Sequence, residues 1–291
     1  MIERAVKHLS RVGDVLVHRT TFEREITIFP DDVFLTSYPR SGNTWTRFLV
    51  ANLAYPEKDV TFLSIEKLVP DMYKSADRTL RRLPRPRILK SHEPFDPRYK
   101  KVVYIVRDPR DSAVSNYHWE LKQKSFPDGY PMNDFIRTWM APVYWPRIGS
   151  WGDHVMSWLS TRQGKPGFLL LRYEDLKKSP EPELAKVARL LGLDPTSSTL
   201  ARAVELSSAK EMRNMEKTEG AKWAATKYTR RDKPFVRSAV SGGWQSVLPE
   251  ESVVLIESTW GPVMKMLGYE LNTTAACESL LPERVVQRER G

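Results

Sequence analysis

Short apolar runs alternate along this chain with longer stretches of helical periodicity. Ile2, Ala5, Val6, Leu9, Val12 and Leu16 recur at helical spacing, which predicts an amphipathic helix over 2–17. Residues 33–37, 87–90, 101–106 and 168–171 read as short buried strands, and helices are expected over 44–54, 151–162, 181–191, 199–206 and 250–267. One further helix carries three start signals. Asp108 is a good N-cap, Pro109 takes the first helical position and Asp111 sits three residues past the cap, predicting a helix to about Lys122. Residues 220–243 are mostly basic and polar and read as a long ordered loop or lid rather than core.

Strands alternating with helices predict an α/β fold, a central parallel sheet with helices on both faces. No repeat, low-complexity tract or linker interrupts the pattern. The expectation is a single domain over 1–291, with its core at about 30–270 and a tail at 271–291. Ligands of such sheets sit at the carboxyl ends of the strands. Three of the expected strands end at Ser37, Lys90 and Val106, directly before Arg40, His92 and Arg107. Side chains far apart in sequence are thereby expected at one sheet edge.

Composition narrows the class. A hydrophobic fraction of 41% and a charged fraction of 28% suit a soluble protein with a filled core. Glu3, Arg4, Lys7, Arg11, Asp14, Arg19, Glu23 and Arg24 break any secretory apolar segment, and no run reaches the length of a membrane span. The single cysteine, Cys277, excludes an internal disulfide and a cysteine-rich metal site, so the cytoplasm is the expected compartment and no metal is expected. The net charge of +10 is compatible with nucleic acid, with an ordinary basic protein, or with a polyanionic small ligand. Arg78, Arg81, Arg82, Arg85 and Arg87 form the densest basic stretch, but Pro84 and Pro86 make it an extended, solvated loop rather than a groove-entering helix.

The candidate chemistry begins at the first strand. Val33, Phe34 and Leu35 run into Thr36-Ser37-Tyr38-Pro39-Arg40-Ser41-Gly42-Asn43-Thr44-Trp45. An apolar strand, a Ser/Gly turn and a helix make an anion cradle, in which turn amides and the positive helix end converge on a phosphate-like group. Arg40 adds a cation, and Ser41 and Thr44 add hydroxyls. The G-x-x-x-x-G-K-S/T loop of nucleoside triphosphatases is not matched, since its first glycine is missing and Asn43 stands at its lysine.

These residues resemble the 5′-phosphosulfate loop of sulfotransferases that use 3′-phosphoadenosine-5′-phosphosulfate (PAPS). The 103–115 segment, with Arg107-Asp108-Pro109-Arg110-Asp111-Ser112, resembles the family's 3′-phosphate segment. Lys90-Ser91-His92, Leu171-Arg172-Tyr173-Glu174-Asp175-Leu176, and Phe235-Val236-Arg237 through Gly243-Trp244 match three further segments in the expected order. The resemblance implies sulfuryl transfer to a hydroxyl of a small-molecule acceptor by in-line displacement, with PAPS as co-substrate and no metal. It implies His92 as general base, Arg40 as the phosphosulfate clamp and Lys90 as an assisting cation. Arg40, Ser41, Gly42, Asn43, Thr44, Trp45, Arg107, Ser115, Tyr173, Ser207, Phe235, Val236 and Arg237 would hold the nucleotide, and Trp119 would border the acceptor. The chain departs from the family's pattern at Arg40, where lysine is usual, at Asn43, where threonine is usual, at Ala209, where an aromatic is common, and at Ser238-Ala239, where Lys-Gly is common.

The aromatics between Tyr117 and Trp158 are expected to be core. His8, His18, His118 and His154 are the other histidines, and His154 reads as a helical surface residue. A nucleoside-triphosphate-dependent kinase would carry a similar cradle, whereas a nucleic-acid-binding protein would need interleaved aromatic and basic strands or a recognition helix. A non-catalytic nucleotide-binding homologue is the remaining alternative. The acceptor's identity and the oligomeric state are left open.

Overall fold

A computed structural model describes residues 26–272. The helix expected at 2–17, the end of the tail and Cys277 lie outside the described residues. The sheet consists of β1 (Val33–Ser37), β2 (Ile88–Ser91), β3 (Lys101–Val106) and β4 (Phe168–Arg172), all parallel, in the order β2-β1-β3-β4. The register pairs Thr36 with Ser91, Ser37 with Ile105 and Val106 with Arg172, so all four carboxyl ends lie along one edge. The second strand begins one residue later than expected, its ladder pairing with β1 starting at Ile88.

Helix α1 (Asn43–Ala54) follows β1, and α2 (Pro109–Gln123) follows β3. Next come α3 (Met132–Met140), α4 (Trp151–Arg162), α5 (Tyr173–Lys178), α6 (Pro180–Leu191), α7 (Ser197–Leu206), α8 (Ala209–Glu219) and α9 (Glu250–Met266). Strand alternation sorts the core into two layers. Leu35, Val103, Ile105 and Leu171 pack with Phe48 and Leu49 of α1 and Leu184 and Val187 of α6. On the opposite face Phe34, Val102, Tyr104 and Val106 meet Ala113 and Val114 of α2 and the aromatic cluster of Trp139, Trp151, Trp158 and Trp260. Phe126, Phe135, Trp139, Trp151 and Trp158 of the aromatic-rich segment are core, whereas Trp119 and Trp145 are half-buried.

The start of α2 is built as its residues dictate. Asp108 accepts from the Arg110 N–H and Pro109 takes the first turn. Helices α3, α5 and α8 were not anticipated. The last buries only Met212, so no apolar stripe announces it, although Ser208 caps it by accepting from Glu211 N–H at 3.3 Å.

Two expectations for the polar segments are corrected. The basic stretch is not uniformly solvated: Asp77–Leu80 forms a helical turn, and Arg87 and Asp32 make an ion pair with both side chains fully buried. In the 220–243 segment Trp223 is core, 2% exposed and stacked 4.4 Å from Phe62. The rest of that segment is fixed by polar contacts. Lys122 Nζ donates to the Arg230 carbonyl at 2.8 Å, and Lys233 Nζ lies 2.9 Å from Asp128.

Candidate active site

The turn after β1 takes its shape from two left-handed residues, Arg40 at φ 68° and Gly42 at φ 92°. A Cβ on Gly42 would lie 2.4 Å from Tyr173 Cδ2, so a side chain is excluded at this position. The ladder of α1 begins with Thr46 N–H donating to the Gly42 carbonyl at 3.1 Å, and the amides ahead of it form the positive end of the helix. Asn43 takes over part of the turn's architecture. Its Nδ2 donates to the Leu35 carbonyl at 2.9 Å and to Ser37 Oγ at 3.2 Å, binding the turn to the strand. Ser41 is fully buried and its hydroxyl has no hydrogen-bond partner among the described residues.

Arg40, Gly42, Asn43, Thr44 and Trp45 line a cavity of about 630 Å³. Arg40 Nε donates to Ser115 Oγ at 3.2 Å, and its guanidinium lies 5.0 Å from the Trp119 ring centre and 5.4 Å from that of Phe235. Burial, then the positive charge of Arg107, lowers its pKa to about 10, and Glu120 opposes the shift. Arg107 lies across the Tyr173 ring at 4.3 Å and donates to the Val240 carbonyl at 3.0 Å. Its buried Nε has no partner among the described residues.

The late loop closes this wall from outside. Glu216 accepts from the amides of Phe235 and Val236, and Arg213 donates to the carbonyls of Val236 and Arg237. Asp111 does more than start a helix: its carboxylate accepts from Gly242 N–H at 2.8 Å and Trp244 N–H at 3.1 Å. Ala239, at the family's glycine position, keeps a left-handed φ of 55°. The loop thus holds a backbone shape that favours glycine, at a cost of about 1–2 kcal/mol.

Trp45 and Tyr173 meet edge to face at 5.6 Å, with Lys177 Nζ 5.1 Å from the Trp45 ring. Trp45 Nε1 donates to the Ser207 carbonyl at 3.0 Å. The Ser207 hydroxyl, read from sequence as a ligand contact, accepts from Asn52 Nδ2 at 3.1 Å in a fully buried position. Ser208 and Ala209 line the cavity there.

His92 stands at the end of β2 across the cavity. Its Nδ1 lies 2.7 Å from the Ser37 carbonyl, which can only accept, so Nδ1 carries the proton and Nε2 keeps its lone pair. Burial, and then the Lys90 charge, hold its pKa well below the usual imidazole value. The ring is therefore neutral at pH 7. Tyr73 lies parallel to it at 6.2 Å and accepts the His92 N–H at 2.7 Å. Lys90 Nζ donates to Asp71 Oδ2 at 2.6 Å, so this cation is supplied with a buried counter-ion.

His154 is not a surface residue. It is fully buried; its Nδ1 accepts from Tyr104 Oη at 2.8 Å and its Nε2 donates to the His92 carbonyl at 3.2 Å. It holds the backbone of the segment that carries His92, a contact no local pattern announced. His118 also lines the cavity, with its pKa lowered to about 4 by burial and the charges of Arg237 and Lys233. Among the described residues no cluster of three metal-ligating side chains is gathered, and no helix is long and apolar enough to cross a membrane.

The carboxyl edge of the four-stranded parallel sheet thus carries a glycine-dependent anion cradle and an arginine-lined cavity that faces a neutral histidine. Residues 30–268 match the sulfotransferase domain family. The chain belongs to that family. It is 30% identical over 233 residues to mouse sulfotransferase 1B1, spanning 75% of this chain and 77% of that protein. Bovine sulfotransferase 1A1 is 30% identical over 260 residues, 84% of this chain and 86% of the relative. Among solved structures, mouse sulfotransferase SULT7A1 complexed with PAP aligns with a TM-score of 0.66 and 25% identity, covering 82% of this chain and 86% of that one. Retinol dehydratase in complex with androsterone and the inactive cofactor PAP shares the fold, with a TM-score of 0.68 at 22% identity and coverage of 86% and 84%.

Proposed function

We propose that this chain transfers a sulfuryl group from PAPS to a hydroxyl of a small-molecule acceptor, with His92 as general base. The observation that carries this reading is one cavity joining a guanidinium cluster at the ends of β1 and β3 to a neutral imidazole at the end of β2. The fit to a nucleotide with a 5′ and a 3′ anionic group rests on three features. The cradle leaves no room for a Cβ at Gly42, Arg107 Nε is buried without a partner, and Arg40, Arg107 and Arg237 share one wall. The complex of mouse sulfotransferase SULT7A1 with PAP agrees with that fit.

When bound, PAPS supplies an activated sulfuryl group whose departure from phosphate leaves negative charge on the bridging oxygen. Arg40 and the α1 N-terminus would hold the 5′ end, and Arg40 opposes charge that grows there with a planar fork rather than a point charge. Arg107, Ser115 and Arg237 would hold the 3′-phosphate, and Trp45 and Tyr173 would flank the adenine. The acceptor oxygen gives its proton to His92 Nε2 as its bond to sulfur forms. Lys90, held by Asp71, lies on the same side. Trp119 would border an apolar or aromatic alcohol.

Nucleotide selectivity tests the reading. The product 3′,5′-bisphosphoadenosine (PAP) is expected to raise the melting temperature clearly more than AMP or ATP with magnesium, because binding to the native state alone stabilises it. Equal shifts with ATP would move the assignment to a kinase. Arg107→Ala is expected to weaken PAP binding by about 1.5–3 kcal/mol, the scale of a hydrogen bond to a charged group, and AMP binding far less. Calorimetry with both nucleotides reads the difference, and an equal loss would place Arg107 away from the 3′-phosphate.

A further inference from the structure

The cavity wall next to His92 is charged, which an apolar acceptor does not require. Arg47, Lys74 and Lys90 meet Glu66 and Asp71 there, three cations against two carboxylates. Arg47 Nη2 pairs with Glu66 Oε2 at 3.1 Å and Lys90 Nζ with Asp71 Oδ2 at 2.6 Å. The other carboxylate oxygens are also engaged. Glu66 Oε1 accepts from Trp223 Nε1 at 3.1 Å, and Asp71 Oδ1 accepts from Tyr73 N–H at 3.1 Å. Lys74 approaches Asp71 Oδ2 at 4.0 Å, an oxygen that Lys90 already holds, and its Nζ otherwise lies 5.9 Å from the Trp223 ring centre. Its side chain is 36% exposed and lines the cavity.

Lys74 belongs to the base side of the cavity rather than the nucleotide side. It directly follows Tyr73, whose ring lies parallel to the His92 imidazole. The charges acting on it are Asp71, Lys90, Glu66 and Arg47, whereas Arg107 and Arg237 act on Arg40. Burial lowers its pKa to about 8, and the two carboxylates that favour its charge are opposed by the two neighbouring cations. An anion arriving from the cavity would supply the missing charge. The lining also includes Trp119, Trp145 and Ile148, which suit a flat apolar body.

We propose that Lys74 selects the acceptor, pairing with a carboxylate carried by a hydroxylated aromatic compound whose hydroxyl is presented to His92. This rests on the sulfotransferase reading and narrows its substrate class. Acceptors that match in shape but lack the acidic group leave the surplus cation unanswered.

The test uses 2-naphthol and 6-hydroxy-2-naphthoic acid with the full chain. Turnover with PAPS is compared as kcat/KM, and binding of each naphthol to the PAP-saturated protein is measured by calorimetry. The naphthoate is expected to be favoured about tenfold or more in both measurements, the scale of one charge-assisted contact. Lys74→Met should remove that ratio and Lys74→Arg should retain most of it. Equal treatment of the two compounds by the wild-type protein, or an unchanged ratio in Lys74→Met, overturns the proposal. So does a loss of PAP affinity in Lys74→Met, which would assign the ammonium to the nucleotide. Failure of the wild-type protein to bind PAP at all would instead remove the sulfotransferase reading beneath it.

Discussion

Replacing His92 with alanine is expected to cut turnover by about 10²–10⁴-fold, the usual contribution of a positioned acid–base group. PAP affinity should hardly change, since the imidazole stands at the end of β2 and the groups proposed to hold the nucleotide's anionic ends stand at the ends of β1 and β3. The Ser37 carbonyl fixes the Nδ1–H tautomer at 2.7 Å, which leaves Nε2 as the only ring position able to take a proton. The pH profile provides an independent check. A buried imidazole beside the Lys90 ammonium has a pKa well below 6.5, so the ring is already neutral across pH 6.5–8. With a poorly acidic alcohol the rate should therefore stay level in that range and fall only on further acidification, as the imidazole gains a proton. An acidic phenol needs less help, so the defect should shrink as acceptor pKa falls. Near-normal turnover of a poorly acidic alcohol by His92→Ala would exclude this base, and His118 would be tested next.

The largest effect on stability is expected far from the cavity. Asp32 and Arg87 have fully buried side chains, with Arg87 Nε donating to Asp32 Oδ1 at 2.8 Å. Asp32 Oδ2 also accepts from Phe29 N–H at 2.7 Å, and Arg87 Nη2 donates to the Thr27 carbonyl at 2.7 Å. The pair clips the segment ahead of β1 to the segment ahead of β2. Asp32→Ala leaves the guanidinium buried without its counter-ion, and breaking such a pair costs about 3–5 kcal/mol. Denaturant unfolding should show a loss of that size. The double change Asp32→Leu with Arg87→Met should recover most of it, because a well-packed apolar pair avoids the desolvation cost. A loss below about 1 kcal/mol for the single change would mean that water or a rearranged partner reaches Arg87.

The cradle was legible because its parts are local. Strand, turn and helix follow one another within residues 33–54; the left-handed φ of Gly42 belongs to the turn, while the close approach of Tyr173 that excludes a Cβ there is tertiary. The start of α2 was legible for the same reason, since a cap acts on amides two or three residues away. Asp111 shows where such reading stops. Its position marks a helix start, yet its carboxylate is spent on Gly242 and Trp244, more than a hundred residues on. The hydroxyl of Ser207 was assigned to the ligand by resemblance, and only the fold shows that Asn52, far off in the chain, donates to it.

By itself, then, the sequence determined the α/β class, the strand ends that carry Arg40, His92 and Arg107, and the residue types of an anion site. Those follow from periodicity, turn chemistry and a motif read within short windows. The tertiary structure decided the rest. It buried His154 beneath the His92 backbone, paired Lys90 with Asp71, hid Arg87 against Asp32, and left Lys74 facing the cavity beside carboxylates already engaged. Burial and charge pairing are properties of what packs against a side chain. They arise only when strands and loops distant in the chain are brought to one edge of the sheet, where the local dielectric and the nearest counter-ion set protonation and partner.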